Sequence, residues 1–233
     1  MAIKVAIIGL GIMGRRMLSH MRRHKNFEPD YLWDPNQSAC QRATLLDSKS
    51  CIMDSASDAI SQADLVYLAC PPAVRELYAI EAAAAGKALF LEKPFGINID
   101  DSARMMGRLK SYDVPIAVNF TQASGIVLTD LLAAEKRGDM GALLGVDIVV
   151  TYPDWPRLWQ RDADWLRFRA EGGMTREVIS HFLFFSERVL GPLSLLSAHT
   201  TYPEDSSLCE TAVLARLASE KKQEVSILAT VGG

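Results

Sequence analysis

The chain has 233 residues, 49% apolar and 23% charged, and a formal net charge of −3. These proportions are typical of a globular protein of one or two domains that folds without a metal or a disulfide. The slightly acidic balance argues against nucleic-acid binding, which needs a net basic face. The four cysteines form no Cys-x-x-Cys pair and have no histidine at ligand spacing, so we predict neither a disulfide framework nor a metal site.

Neither export nor membrane association is predicted. The N-terminal apolar run is interrupted by glycines and its cations follow it, which is the reverse of a secretory signal. No uncharged apolar stretch approaches about 18 residues, the length that a membrane-spanning helix needs. We therefore expect a cytoplasmic protein whose partners are neither membranes nor nucleic acids.

Short apolar runs alternate with helical patterns over residues 1–120. The runs predict strands at 4–9, 31–33, 65–69, 88–91 and 115–120. Helices are predicted after the first strand, over 73–85 with Gly86 as the C-terminal cap, and over 101–111. This βαβ order predicts an α/β domain with a doubly wound parallel sheet.

The pattern changes at about residue 121. Helices are predicted at 125–137 and 175–190, and longer strands at 143–152, 193–202, 210–217 and 223–231. Short turns join several of these strands, which predicts an α+β domain over 121–233 with a mostly antiparallel open sheet. Because the sequence ends directly after a strand, we expect that strand to leave an uncovered edge and the domain to be incomplete at its C-terminal end.

A glycine motif, Gly9-x-Gly11-x-x-Gly14, lies between the first predicted strand and the first helix. In such a motif one glycine makes the tight turn, one lets a pyrophosphate approach the backbone, and one lets the helix pack on the strand. Asp34 ends the second strand, where a carboxylate can accept hydrogen bonds from both ribose hydroxyls of adenosine. The motif therefore predicts a Rossmann dinucleotide-binding domain over residues 1–120, with NAD as the cofactor.

Two alternatives remain at this loop. Arg15 and Arg16 follow in the first helix, and an arginine near the ribose would tolerate the additional phosphate of NADP. The glycines could instead serve packing alone, with Asp34 capping a turn before Pro35.

Lys93 lies in the tripeptide Glu92-Lys93-Pro94, which follows the strand predicted at 88–91. Open α/β sheets bind their ligands at the carboxyl ends of the strands, which is where this lysine falls. A lysine held there can hydrogen-bond a substrate hydroxyl and stabilise the charge that develops as the proton leaves. The alternative is a strand-end lysine in solvent.

Four segments together with Asp34 resemble the glucose-fructose oxidoreductase, inositol dehydrogenase and MocA (Gfo/Idh/MocA) family: AIIGLGIMG, ADLVYLACPP, AAAAGKALFLEKPFGINID and GGMTREVISHFLFF. The resemblance implies an NAD(P)-dependent dehydrogenase or reductase of sugars, polyols or related carbonyl compounds. The resemblance further implies a homodimer or tetramer that forms through the second sheet if the full domain is present. It also implies that Lys93 lies beside the reacting carbon. Members of the family usually run about a hundred residues longer, which adds to the expectation of an incomplete second domain.

The second signature of the family is a Gly-Gly turn followed by a helix with an acid and, four residues later, a histidine. Here these are Gly172-Gly173, Glu177 and His181. Residues four apart share a helical face, so both side chains can enter one cleft and share a proton. His181 is the predicted base for oxidation and acid for reduction, because histidine ordinarily titrates near neutral pH. The first acid is Glu where Asp is usual, and Phe184 stands where an Asp is frequent; a core histidine is the alternative.

The segment 152–169 holds three of the four tryptophans and four arginines. Aromatic faces stack on sugar rings, and arginine forks bind carboxylates or phosphates. Four of its residues are candidate substrate contacts: Tyr152, Trp155, Trp165 and Arg167. The alternative is a loop that its tryptophans pack onto the sheet, and Asn119 and Gln122 are weaker pocket candidates.

These observations predict hydride transfer between NAD, or NADP, and a carbon that bears a hydroxyl or carbonyl group. The predicted catalytic residues are Lys93, His181 and Glu177. The predicted cofactor contacts are Gly9, Gly11, Ile12, Met13, Gly14, Asp34, Pro71, Glu92, Lys93 and Asn119. Two alternative functions are a non-catalytic NAD(P)-binding sensor or partner subunit, which Phe184 and the abrupt end of the sequence favour, and a reductase of C=N or C=C bonds.

Overall fold

The computed structural model describes residues 2–232 and divides into two compact units between Asn119 and Phe120. The first unit alternates strands and helices. Its elements in chain order are β1 (Ile3–Ile8), α1 (Ile12–Arg23), β2 (Phe27–Trp33), α2 (Gln37–Leu46), β3 (Cys51–Ile52), α3 (Ala56–Gln62), β4 (Leu65–Leu68), α4 (Pro72–Ala84), β5 (Ala88–Glu92), α5 (Ile99–Leu109) and β6 (Ile116–Asn119).

The six strands form one parallel sheet in the order β3-β2-β1-β4-β5-β6. Side chains of α3, α4 and α5 pack on one face of the sheet, and those of α1 and α2 pack on the other. This arrangement confirms the predicted doubly wound sheet. The strand order reverses between β1 and β4, and folds of this kind bind ligands at the carboxyl edge beside that reversal.

Local sequence explains most of these elements. The residues Val5, Ile7 and Ile8 of β1 have no exposed surface, as expected for a β-branched run in a parallel sheet covered on both faces. Side-chain caps begin three helices, because Asn36, Ser55 and Asn98 accept hydrogen bonds from backbone amides of α2, α3 and α5.

Our prediction omits α2, β3 and α3. Strand β3 pairs only two residues with β2, so it is too short for a period-two pattern to show. The caps Asn36 and Ser55 were available as sequence signals for the two helices.

The second unit is a four-stranded sheet with a helix packed on it. Its elements are α6 (Ile126–Arg137), β7 (Gly145–Tyr152), two short 3₁₀ turns (Leu158–Gln160 and Asp164–Arg167), a π turn (Thr175–Ile179), α7 (Ser180–Leu190), β8 (Leu193–Thr201), β9 (Ala212–Ser219) and β10 (Glu224–Val231). The π turn and α7 pack on one face of the sheet, where Val178, Ile179 and Leu190 meet Ile148 and Ile227.

The strand order of the second sheet is β7-β10-β9-β8. β10 runs antiparallel to β9 and parallel to β7, and β9 runs antiparallel to β8, so the sheet is mostly antiparallel as predicted. The last strand, β10, lies between β7 and β9. The expected uncovered edge at the last strand is therefore wrong, because β10 has a hydrogen-bonded neighbour on each side and the edges are β7 and β8.

The part of the chain that the structure describes contains neither a membrane-spanning helix nor a metal-binding cluster. Among residues 2–232, no helix is both long and apolar enough to cross a membrane. Within the same part of the chain, no group of three or more His, Cys, Asp or Glu side chains is placed to hold a metal ion.

The cysteines yield a prediction about reactivity. Cys40, Cys70 and Cys209 are buried, whereas Cys51 is exposed. Burial raises the pKa of the Cys40 and Cys70 thiols, and burial with the nearby Glu210 carboxylate raises the pKa of Cys209 to about 11. Since the thiolate is the reactive form, we expect iodoacetamide at about pH 8 to modify Cys51 at least about tenfold faster than Cys209.

Peptide mass mapping of the folded protein measures both rates, and urea-unfolded protein is the control in which the two rates converge. Equal rates at Cys51 and Cys209 in the folded protein would contradict the assigned burial.

Candidate active site

The glycine loop joins β1 to α1, and its three glycines meet different surroundings. Gly9 has a left-handed backbone with φ of 96°, and a Cβ there would lie 2.6 Å from the backbone nitrogen of Cys70. A Cβ at Gly14 would lie 1.9 Å from the carbonyl oxygen of Gly9. Packing therefore requires both glycines. At Gly11, by contrast, a Cβ would meet no described atom within 4 Å apart from those of Gly11 and its chain neighbours.

Gly11 is also the N-terminal cap of α1. The first amides of a helix have no partner within the helix and attract anions. The open space at Gly11 therefore fits the close approach of a pyrophosphate to these amides.

Asp34, directly after β2, supports this loop. Its Oδ2 accepts a hydrogen bond from the backbone N–H of Leu10 at 2.7 Å, and its Oδ1 accepts from the N–H of Asn36 at 2.7 Å. The carboxylate is half-buried, and each oxygen retains a second lone pair for a ribose hydroxyl. Arg15 Nη1 donates to the carbonyl of Leu10 at 2.7 Å, so this arginine also holds the loop.

Three more predicted cofactor contacts lie near the same edge of the sheet. Ile12 and Met13 are half-buried in the first turn of α1, and exposed Pro71 lies directly before α4. Their contact with a cofactor stays a prediction.

Glu92 and Asn119 join a buried polar network at the ends of β4, β5 and β6. Glu92 Oε1 accepts hydrogen bonds from the hydroxyl of Tyr67 and from Asn119 Nδ2, the latter at 2.7 Å. Glu92 and Asn119 are only 4% and 9% exposed. Burial, followed by the adjacent Glu92 charge, raises the pKa of Tyr67, which keeps its hydroxyl a donor. The structure gives Glu92 and Asn119 a role in holding three strand ends, and their contact with a cofactor stays a prediction.

Lys93 follows this network at the carboxyl end of β5 and is half-buried. The peptide groups around it are held by Arg75 of α4, which is 2% exposed. Arg75 Nη1 donates to the carbonyl oxygens of Glu92, at 2.5 Å, and of Pro94. Its Nη2 donates to the carbonyl of Cys70 at 2.6 Å.

In the second unit, steric crowding explains why both residues of the Gly172-Gly173 turn are glycines. A Cβ at Gly172 would lie 2.4 Å from the carbonyl oxygen of Leu166. Gly173 has a left-handed backbone with φ of 106°, and a Cβ there would lie 2.6 Å from the carboxylate of Glu210. Buried Glu210 also accepts a hydrogen bond from the N–H of Thr175 at 2.6 Å, so it anchors the start of the π turn.

The helix predicted at 175–190 is present, but its first turn is a π turn, in which the N–H of Ser180 donates to the carbonyl of Thr175. Glu177 lies within this wider turn. Its Oε1 accepts from Gln160 Nε2 at 2.9 Å, and Arg157 Nη2 lies 3.7 Å from the same oxygen. Single π turns in α-helices are frequent at functional sites.

His181 lies in the first turn of α7 and is 8% exposed. Its ring meets the ring of Phe120 edge-on, with centroids 5.7 Å apart. Phe120 also stacks on Phe184 at 4.3 Å. An aromatic contact thus occupies the position where the resembled family often has an acid. The proton-transfer role of His181 stays a prediction.

Two of the four candidate substrate contacts come together. The rings of Tyr152 and Trp155 lie 6.0 Å apart, and Trp155 Nε1 donates to the carbonyl of Leu166 at 3.0 Å. The guanidinium of Arg157 lies over both rings, at 5.2 and 5.8 Å from their centroids, and over Trp159 at 4.7 Å. Tyr152 and Trp155 also pack against the sheet core, as the alternative interpretation of this segment expects.

The other two candidates lie in the turn Asp164–Arg167. Trp165 is half-buried, and Arg167 is exposed and bonds Asp164 at 3.3 Å. Gln122, a weaker candidate, is exposed near the start of the second unit. Substrate contact by any of these residues stays a prediction.

Sequence reasoning missed five residues that hold the candidate groups in place: Tyr67, Arg75, Arg157, Gln160 and Glu210. Arg157 and Gln160 lie in the aromatic and arginine-rich segment, which composition did single out. Nothing local distinguishes Arg75 in its alanine-rich helix, because its acceptors are backbone carbonyls, and two of them, on Glu92 and Pro94, lie 17 and 19 residues away.

Comparison with known proteins agrees with this geometry. A family model described as an oxidoreductase family with an NAD-binding Rossmann fold, GFO_IDH_MocA, matches residues 3–120. No curated protein sequence matches the chain.

Solved structures share the fold over the whole chain. A putative myo-inositol dehydrogenase from Sinorhizobium meliloti is 19% identical with a TM-score of 0.83, covering 100% of this chain and 70% of its own. The WlbA dehydrogenase from Bordetella pertussis, in complex with NADH and UDP-GlcNAcA, is 24% identical with a TM-score of 0.86. The match covers 99% of this chain and 71% of the WlbA chain. KijD10, a 3-ketoreductase from Actinomadura kijaniata in complex with NADP and TDP-benzene, is 16% identical with a TM-score of 0.85. The match covers 100% of this chain and 71% of the KijD10 chain.

The matched residues include the glycine loop, Asp34 and the Glu-Lys-Pro turn, and they make up half of the chain. The protein therefore belongs to the Gfo/Idh/MocA family of oxidoreductases with an NAD-binding Rossmann fold.

Proposed function

We propose that this protein transfers a hydride between NAD and the hydroxyl or carbonyl carbon of a sugar, polyol or related small molecule. The observation that carries the proposal is the position of Lys93 at the carboxyl end of β5. The glycine loop leaves the same edge of the parallel sheet, with only β4 between β1 and β5. The substrate class is supported by two structural neighbours, a putative myo-inositol dehydrogenase and a dehydrogenase in complex with UDP-GlcNAcA.

The proposal assigns each protein group a separate task. The chemistry that a bound nicotinamide supplies is hydride transfer at a carbon that carries oxygen. Lys93 Nζ donates a hydrogen bond to that oxygen and stabilises its developing charge. The imidazole of His181 takes the hydroxyl proton in oxidation and returns it in reduction, and Glu177 shares that proton. Lys93 belongs to the first unit and His181 to the second, so their action on one substrate is part of the proposal.

Asp34 is the basis for choosing NAD over NADP. Its carboxylate would repel a 2′-phosphate and accept from ribose hydroxyls. Arg15, which could have countered this repulsion, is hydrogen-bonded to the carbonyl of Leu10.

We also propose that copies of the chain associate through the outer face of the second sheet. Val149, Leu228 and Leu214 are direct cross-strand neighbours on that face, and they are 67%, 46% and 58% exposed. Large exposed apolar groups in one row are typical of an association surface. A cytoplasmic location stays a prediction.

Two alanine substitutions in the glycine loop separate cofactor binding from folding. In Gly11→Ala the added methyl meets open space, so we expect a melting temperature within about 3 °C of wild type. The methyl would stand where the pyrophosphate approaches, so the Kd for NADH should rise at least about tenfold. Gly14→Ala is the matched comparison, because its methyl clashes with Gly9 and should cost about 3 kcal/mol of stability. Wild-type NADH binding by Gly11→Ala, measured by fluorescence titration, would disprove a pyrophosphate site at this loop.

Replacing Asp34 tests the cofactor choice. Asp34→Asn keeps one carbonyl acceptor and removes the charge, so the ratio of NADPH to NADH dissociation constants should fall at least about tenfold. Titration of both reduced cofactors by fluorescence gives the ratio. Asp64→Asn is the control, since Asp64 also accepts from a backbone amide but lies at the start of β4. An unchanged ratio in Asp34→Asn would rule out its discrimination against NADP.

Lys93→Ala and His181→Ala test the chemistry. With NAD and a panel of cyclic polyols, aldoses, dihydrodiols and a nucleotide-linked sugar, each should lower kcat at least about 100-fold. Absorbance of the reduced nicotinamide measures turnover. Lys87→Ala is the control, because half-buried Lys87 lies at the other end of β5 and donates to the carbonyl of Ser61. Wild-type turnover by either variant would refute its assignment, and NADH binding without turnover on any substrate would favour the non-catalytic alternative.

A further inference from the structure

We infer that Arg75 is a positioning residue, whose buried guanidinium orients Lys93 by clamping the Glu92-Lys93-Pro94 turn to the end of β4. The inference rests on the proposed function, because that function gives Lys93 its chemical role. Arg75 acts through Lys93 and is assigned no contact with substrate or cofactor.

Arg75 hydrogen-bonds to backbone carbonyls on both sides of Lys93 in the sequence. Nη1 binds the carbonyl of Glu92, in the peptide group that precedes Lys93, and the carbonyl of Pro94, in the peptide group that follows Pro94. Nη2 binds the carbonyl of Cys70, immediately before the turn into α4. One planar group therefore links the turns after β4 and β5. This fixes the direction in which the side chain of Lys93 leaves the backbone.

Burying the charge of Arg75 costs free energy, so stabilising the fold does not by itself explain why an arginine lies at this position. Arg75 is 2% exposed, and burying a cation costs several kcal/mol unless its surroundings compensate. Its acceptors are neutral carbonyls, and its Nε has no hydrogen-bond partner within residues 2–232. An unsatisfied buried donor costs further free energy. Desolvation accordingly lowers the pKa of Arg75, although the charge of Glu92 opposes that effect.

Glu92 provides the second anchor of the same turn. Its side chain is tied to Tyr67 on β4 and to Asn119 on β6. Its backbone carbonyl is held by Arg75. The residue before Lys93 is thus fixed through both its side chain and its backbone.

A lysine at position 75 would keep the charge but lose the geometry. The guanidinium presents planar donors at fixed angles, whereas an ammonium is a single point at the end of a flexible chain. An ammonium would not hold the carbonyls of Cys70, Glu92 and Pro94 in the same arrangement. Lys93 would then sample other directions, and a misplacement of about 1 Å can cost a reaction about 100-fold.

The test is a double-mutant cycle on the full chain with Arg75→Lys, Lys93→Ala and the combined variant. Arg75→Lys should lower kcat about 10- to 100-fold on the best substrate of the panel. The Kd for NADH should change less than kcat does, because the hydrogen bonds of Arg75 within residues 2–232 reach neither Asp34 nor the first turn of α1. In the Lys93→Ala background, Arg75→Lys should change kcat less than about twofold, since an absent amine cannot be misplaced.

Hydrogen exchange tests whether Arg75 holds the Glu92-Lys93-Pro94 turn, and it requires no measurement of turnover. Peptides covering residues 92–98 should exchange faster in Arg75→Lys, whereas those covering 3–8 should not change. Arg108→Lys is the matched control, because exposed Arg108 on α5 makes an ion pair with Glu76 and should leave kcat and exchange at 92–98 unchanged.

Several results would overturn the inference. One is wild-type kcat in Arg75→Lys. Another is an equal fractional loss of kcat with and without the Lys93 amine, which is what general destabilisation produces. If circular dichroism shows Arg75→Lys to be unfolded, the cycle is repeated with Arg75→Gln, and unfolding of both variants would establish a structural role instead.

Failure of the proposed function has a different signature. Wild-type turnover in Lys93→Ala would refute the role of Lys93 in catalysis. In that case, faster exchange at 92–98 in Arg75→Lys would still support positioning of the turn, and unchanged exchange would reject it.

Discussion

The close backbone contact between the glycine loop and the end of β4 is the constraint on which the first unit depends. β1 and β4 are neighbours at the point where the strand order reverses, so the loop after β1 must turn directly against Cys70. Only a residue without a side chain fits there, and Gly14 lets α1 start against the same loop. This tight turn leaves the helix start and the ends of β4 and β5 at one edge of the sheet. Asp34 adds β2 to that edge through the N–H of Leu10.

The same edge combines two physically different kinds of support. The proposed phosphate site at the glycine loop depends on backbone amides and on the absence of side chains, which requires no buried charge. The side that carries Lys93 depends on a buried polar network of Tyr67, Glu92, Asn119 and Arg75. Such networks are costly when partly satisfied, and in some proteins they specify one arrangement of the elements that they join. The catalytic role proposed for Lys93 requires one fixed arrangement of this kind.

The second unit prepares its candidate groups by similar means. Glu210 fixes the start of the π turn through Thr175, and the Gly-Gly turn exists because side chains there would collide with Glu210 and Leu166. Glu177 is then held by the side-chain amide of Gln160 and by Arg157, whose guanidinium lies over aromatic rings. Phe184 stacks on Phe120 next to His181, so the helix carries one carboxylate fewer than the resembled family often has. The chemistry assigned to this helix therefore rests on Glu177 and His181 alone.

Local patterns in the sequence determined the doubly wound sheet, the glycine loop, Asp34 at the end of β2 and the helix that carries His181, because each depends on short-range periodicity or on a backbone shape that few residues adopt. Tertiary structure alone decided that β10 lies between β7 and β9, that the helix of Glu177 starts with a π turn, and that Arg75 meets carbonyls on two separate turns. Strand neighbours and the partners of a buried cation are chosen by the free energy of packing whole elements together. That free energy depends on residues far apart in the chain, so no local pattern records it.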